Sequence, residues 1–154
     1  LRLPTIVIRP GKPNKAASGF ASSILREPLQ GDEVGNPVNM ETRMLILSPK
    51  RAVQAFIDNH NADGSVLGMN RAVMMNGISP MIEEILDGLR RYAGDGVADR
   101  VRSEPDALIQ EMVDSWAWFS DGVRARSLGM EPDASLEEII ETFVQEELGG
   151  TFVP

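Results

Sequence analysis

The chain has 154 residues, 42% of them hydrophobic and 25% charged, which is the composition of one soluble globular domain with room for a real core. It carries no cysteine, excluding a disulfide framework and a thiolate metal site, and no apolar run approaches the roughly 18 residues of a membrane span. The net charge of −8 is unevenly placed. Arg2, Arg9, Lys12, Lys15 and Arg26 stand against Glu27 alone near the start, and the rest of the chain is strongly acidic. An acidic body argues against general nucleic-acid binding, which needs a basic surface. The basic start suits a small anion, or is no more than solvated loop charge. Lack of cysteine fits a cytoplasmic protein. The first residue is Leu1 and not Met, so the natural N-terminus is expected to lie upstream.

The run Leu3 to Arg9 is rich in β-branched residues and reads as a strand buried on both faces of a parallel sheet. Pro10-Gly11-Lys12-Pro13-Asn14 is a loop, followed by a small-residue helix that Asn14 would cap at Lys15. Val34 to Asn39 and Asn59 to Asn70 read as loops. Ser48-Pro49 opens a helix with an N-cap and a first-turn proline, and Ala52, Val53, Phe56 and Ile57 give it an apolar face. Arg71 to Met75, closed by Asn76-Gly77, is a second strand candidate, and Arg100 to Glu104 a third. Ser79-Pro80 repeats the helix-opening device ahead of Ile82, Ile85, Leu86, Leu89 and Ala93, with Gly94 as the stop. Asp106 to Val113 is a further helix. Ser135 and Glu138 form a capping box for a last helix carrying Leu136, Ile139, Ile140 and Phe143 and ending at Gly149-Gly150. Three short strands are few for so many helices, which hints at a missing partner sheet.

Several patterns that imitate functional sites fail. Asn59-x-Asn61-x-Asp63-Gly64 mimics a calcium loop but has Asn at its first position and Asn70 where a bidentate glutamate belongs. His60 is the only histidine, so a multi-histidine metal site is unavailable. Glu83/Glu84 and Glu137/Glu138 are neighbours that diverge by about 100° on a helix and share no site. Trp116, Trp118 and Phe119 form an aromatic concentration, read first as core packing and second as a partner surface.

The segment RPGKPNKAASGFASSILREPL, Arg9 to Leu29, resembles the stretch after the catalytic Tyr-x-x-x-Lys in extended short-chain dehydrogenase/reductases. The likeness is to the NAD-dependent epimerase/dehydratase family, in its D-erythronate dehydrogenase-like branch. The later order is also similar: a strand and helix over Met44 to Asp58, a strand, turn and helix over Asn70 to Gly94, and a closing pattern with Leu128-Gly129-Met130-Glu131-Pro132. The resemblance implies an α/β fold of few strands and several helices, the C-terminal substrate-binding part of an extended Rossmann-type enzyme. Residues 1–9 would be the last part of a parallel sheet and 10–154 the substrate loop and closing helices. The family's catalytic parts are absent from these residues. No Gly-rich turn opens a helix after a strand, and the single tyrosine, Tyr92, has Gly96 four places on.

By resemblance Pro10 and Gly11 pass the nicotinamide end of NAD, and Gly11 suits close backbone approach because it lacks a Cβ. Asn14 and Lys15 would bind substrate hydroxyls and a substrate carboxylate, with Ser18, Arg43 and, more weakly, Arg26 as further pocket residues. The bland alternatives are that Pro10, Gly11 and Pro13 shape a turn, that Arg26 is a helix-end charge paired with Glu27, and that Arg43 is a strand-edge surface residue. The function implied is the substrate-binding part of an NAD-dependent oxidoreductase acting on a small sugar acid or nucleotide-sugar, inactive alone, with its own N-terminal half as partner. The alternative is a non-catalytic binding module on the same half-fold, closing the edge of Leu3 to Arg9 with a second copy.

Overall fold

The computed structural model describes residues 1–12 and 16–154. In chain order the elements are β1 (Thr5–Ile6), α1 (Gly19–Gln30), β2 (Val34–Asn36), β3 (Ile46–Leu47) and α2 (Pro49–Asn61). Then come a 3-10 turn (Gly64–Leu67), α3 (Ile82–Ala93), α4 (Asp95–Ala98), β4 (Val101–Ser103), α5 (Ala107–Asp114), α6 (Val123–Ser127) and α7 (Leu136–Glu147). This is a mixed α/β fold in which short parallel strand pairs are surrounded by helices.

The strand expected over Leu3 to Arg9 is regular only at β1, which pairs in parallel with β3 in the register Thr5↔Ile46 and Ile6↔Leu47. Pro4 offers no N–H to a ladder and interrupts the pairing. Before it, Arg2 bridges Met74 in parallel through Arg2 N to Val73 O at 2.7 Å and Met75 N to Arg2 O at 2.8 Å. The strand expected at Arg71 to Met75 is therefore a single bridge. Gly77 packs against both the Ile46 carbonyl and the Pro4 ring, where a Cβ would collide. The turn after Met75 thus brings the chain to the same flank of residues 1–8 as β3. Among the described residues no strand pairs with the opposite flank.

The loop expected over Val34 to Asn39 begins as a strand. β2 pairs in parallel with β4, Val34↔Val101 through Asn36↔Ser103, so the weakest of the three strand candidates is real and its partner was the segment read as a loop. The second expected loop also holds structure: α2 continues to Asn61, and Asp63 caps the 3-10 turn by accepting from Ser65 N at 2.9 Å. The first helix starts at Gly19, with Ser18 at its N-cap; the start expected at Lys15 lies outside the described residues.

Other caps follow the sequence. Ser48 Oγ accepts from Arg51 N at 3.1 Å, with Pro49 in the first turn of α2. Asp106 accepts from Leu108 N and Ile109 N to start α5. Ser135 Oγ accepts from Glu138 N, while the Glu138 carboxylate reaches one residue further back than expected, to Ala134 N at 2.6 Å. Ser79 does not cap α3. Its hydroxyl donates to the Trp118 carbonyl, and α3 starts two residues later, where Met81 N donates to Glu84 Oε2 at 2.7 Å.

One core joins α1, α3 and α7 through Ile24, Leu25, Ile85, Leu89, Ile139, Ile140 and Phe143, with Val7, Ile8 and Ile46 beneath them. Gly88 lets Leu136 of α7 lie directly on the α3 backbone. A second, smaller core under α2 consists of Leu47, Ala52, Ala55, Val73, Met75, Ala125 and Met130. Only the two alanines of α2 are buried. Val53, Phe56 and Ile57, expected on a core face, are 60%, 55% and 48% exposed.

Candidate functional site

Alongside β1 lies an open cavity of about 500 Å³, lined by Leu3, Pro4, Thr5, Ile6, Arg9, Ser18, Leu45, Met74, Trp116 and Ala117. Its frame is apolar. Its polar side chains are the hydroxyls of Thr5 and Ser18, the indole of Trp116 and the guanidinium of Arg9, the one ionisable group among the described residues that line it.

The backbone at the cavity's head is held from α1. Arg9 N donates to Ser22 Oγ at 3.1 Å, and Ser22 Oγ donates in turn to Ile6 O at 3.2 Å. Arg26 Nη1 donates to Arg9 O at 2.7 Å. Arg26 is 4% exposed, and its other nitrogen donates to Ser23 Oγ and, at 2.7 Å, to Glu27 Oε1. Arg26 therefore does pair with Glu27, as its helix-end reading has it, but inside the protein and as a strut for the chain that leaves β1. Glu27 Oε2 is buried with no hydrogen-bond partner among the described residues.

Ser18 lines the cavity, and its hydroxyl caps no N–H of α1, so it is unspent. Pro10 is exposed and borders a separate narrow groove with Ser48, Pro49, Phe143 and Glu146. Gly11 has φ +85° and open space where a Cβ would stand. Asn14 and Lys15 lie outside the described residues. Arg43 belongs to a different cleft, of about 250 Å³, with Glu41, Thr42, Asp114 and Trp118. Its guanidinium donates to Ser79 O at 2.9 Å and stands 3.9 Å from Glu84. Ser18 and Arg43 are thus in separate cavities, joined only by Trp116, which lines both.

Sequence reasoning did not single out Arg9, Thr5 or Trp116. Arg9 counted only as one of several basic residues, and nothing in the sequence marks which cation turns into the cavity. The aromatic concentration is not core: Trp118 and Phe119 are 54% and 63% exposed with ring centroids 6.0 Å apart, and Trp116 alone packs partly on the core. No group of metal-ligating side chains occurs among the described residues. No helix among them is long and apolar enough to cross a membrane.

No protein-family profile matches the chain. Over 120 residues it is 48% identical to a D-erythronate dehydrogenase of Cupriavidus necator, covering 77% of this chain and 37% of that protein. A D-erythronate dehydrogenase of Haemophilus influenzae is 38% identical over 125 residues, covering 81% of this chain and 40% of the relative. The chain thus spans well under half the length of the curated relatives it matches. Among solved structures, a nucleoside-diphosphate-sugar epimerase from Agrobacterium tumefaciens superposes with a TM-score of 0.93 at 44% identity, over 97% of this chain and 44% of that one. An L-threonine dehydrogenase from Cupriavidus necator, at 19% identity and TM-score 0.81, shares the fold. The chain accordingly resembles the D-erythronate dehydrogenase-like branch of the extended short-chain dehydrogenase/reductases, and its fold matches a C-terminal part, under half, of such a chain.

Proposed function

We propose that the chain is the substrate-binding part of an NAD-dependent dehydrogenase that oxidises one hydroxyl of a small sugar acid, of the D-erythronate kind. The observation that carries this reading is the cavity alongside β1, with Thr5, Ser18 and Arg9 among its lining, in a chain 48% identical over 120 residues to a D-erythronate dehydrogenase. A sugar acid is preferred to a nucleotide-sugar because the two sequence relatives are D-erythronate dehydrogenases.

NAD, when bound, takes the hydride released from the substrate carbinol. The residues here suit its nicotinamide end and nothing more of it: Gly11, with positive φ and free space over its Cα, allows backbone approach, and no pyrophosphate-binding turn accompanies it. The acid/base tyrosine and its lysine are assigned to the preceding half of the enzyme. This chain's part is to seat the acid. Thr5 and Ser18 receive its hydroxyls, Trp116 and the apolar frame border it, and Asn14 and Lys15, which lie outside the described residues, are further candidates for its polar groups. A cytoplasmic location accompanies this reading.

The partner is the enzyme's own dinucleotide-binding half, set against the unpaired flank of residues 1–8 and the exposed stripe of α2. The second reading, self-association of a non-catalytic module, draws on those same two surfaces. One experiment separates them. The chain is assayed for NADH formation with D-erythronate alone and as the intact polypeptide that includes its dinucleotide-binding half. Turnover by the intact form alone is expected. Failure of that form on every hydroxy acid of about this size sinks the dehydrogenase reading.

A further inference from the structure

We propose that Arg9 is the carboxylate anchor of this cavity and sets its preference for acids; the inference rests on the sugar-acid reading and assigns the role to a residue the sequence did not mark. Arg9 is the only ionisable side chain among the described residues lining the cavity. Its guanidinium has no ion-pair partner among them, although most other arginines of the chain are committed to carboxylates or carbonyls. Arg9 is partly buried beside an apolar frame and has no anion of its own among the described residues. Its planar fork matches a carboxylate, and such a charge-assisted contact strengthens where water is scarce.

A second feature points the same way. Ser18, the N-cap of α1, lines the same cavity, and the first turn of α1 holds no acidic side chain and has no side-chain cap. The Ser18 hydroxyl therefore remains available to a ligand in the space that Arg9 also lines. The anchor is also rigid. Both backbone polar groups of Arg9 are fixed, one to Ser22 Oγ and the other by buried Arg26, so the side chain starts from a position that does not drift. Arg43 is occupied with Ser79 and Glu84 in its own cleft and does not compete for this anion.

The test uses the intact enzyme with its dinucleotide-binding half, D-erythronate and the neutral amide of the same acid. Arg9→Gln is expected to raise KM for the acid about 10- to 100-fold, the range of a lost charge-assisted hydrogen bond, while the KM for the amide stays within about twofold. Arg9→Lys should recover part of the loss, and guanidinium ion added to Arg9→Ala should recover acid turnover selectively. Equal losses for acid and amide mean that Arg9 is structural and overturn the proposal. So does an unchanged KM in Arg9→Gln with the acid-specific loss appearing in Lys15→Gln instead. An unsubstituted enzyme that oxidises neither compound overturns the sugar-acid reading itself, and that outcome is visible before any variant is made.

Discussion

Arg26 Nη1 donates to the Arg9 carbonyl at 2.7 Å, so a buried arginine on α1 holds the point where the chain leaves β1. The same side chain is ion-paired with Glu27 at 2.7 Å, at 4% and 11% side-chain exposure. A buried pair of this kind contributes little compared with a well-packed apolar pair, but removing one partner strands the other charge. Arg26→Met should therefore cost about 3–5 kcal/mol in urea unfolding. The double variant Arg26→Met/Glu27→Leu should recover most of that loss. A single variant as stable as the parent would mean that Glu27 finds its compensation elsewhere.

Asp133 makes a comparable strut between α2 and the loop before α7. It is 4% exposed, and its Oδ2 accepts from the buried Ser48 N at 2.8 Å, at the residue that caps α2. Asp133→Ala leaves that N–H buried without an acceptor and should cost about 1–3 kcal/mol. Asp133→Asn keeps an acceptor in place and should cost clearly less. Equal losses for the two variants would show that the charge matters and not the hydrogen bond.

Acid sensitivity should concentrate at the start of α7. The Ala134 N–H on the Glu138 carboxylate holds its pKa below the usual glutamate range, with Arg51 adding to the effect. Arg91, by its hydrogen bond, lowers Glu137 in the same way. Both groups have folded values below their unfolded ones. Their stabilisation is therefore complete above about pH 4.3, the unfolded glutamate value, and fades as pH falls through the depressed folded values. Both carboxylates are partly exposed, so the effect is modest and screened by salt. Glu138→Gln should flatten the fall in melting temperature between about pH 4.5 and pH 3. A slope identical to the parent's would remove Glu138 from the acid response.

What the sequence disclosed was mostly local. Ser48-Pro49, Asp106 and Ser135 mark helix starts because a cap and its N–H partners lie within one turn, and Gly94 and Gly149 mark stops for the same reason. β2 was hidden because Val34-Gly35-Asn36 has a glycine and an amide where strands favour branched residues, and its partner β4 lies more than sixty residues on. The Ser79-Pro80 signal misled because the Trp118 carbonyl takes the serine hydroxyl and Glu84 does the capping. The cavity was illegible as a set. Thr5, Arg9, Ser18, Met74 and Trp116 come from four separate stretches, and spacing along a chain carries no mark of that meeting.

The periodicity of α2 was read correctly and its destination was not, and that mismatch yields the last prediction. Val53, Phe56 and Ile57 stand at helical spacing on α2 and are exposed, and the fold buries only the edge of that face, at Ala52 and Ala55. Three large apolar side chains on one exposed face form a surface that self-associates when left open. Phe56→Glu in the 154-residue chain should shift sedimentation velocity from oligomer to monomer without loss of helicity. On the proposed reading, in which a dinucleotide-binding half covers the stripe, the same substitution should instead destabilise the intact polypeptide by about 2–4 kcal/mol, because it buries a charge against an apolar neighbour. Phe56→Leu should be nearly silent in both settings. A monomeric parent chain, together with an intact Phe56→Glu enzyme of unaltered stability, would show that α2 faces solvent in every form of the protein and would remove it from the seam.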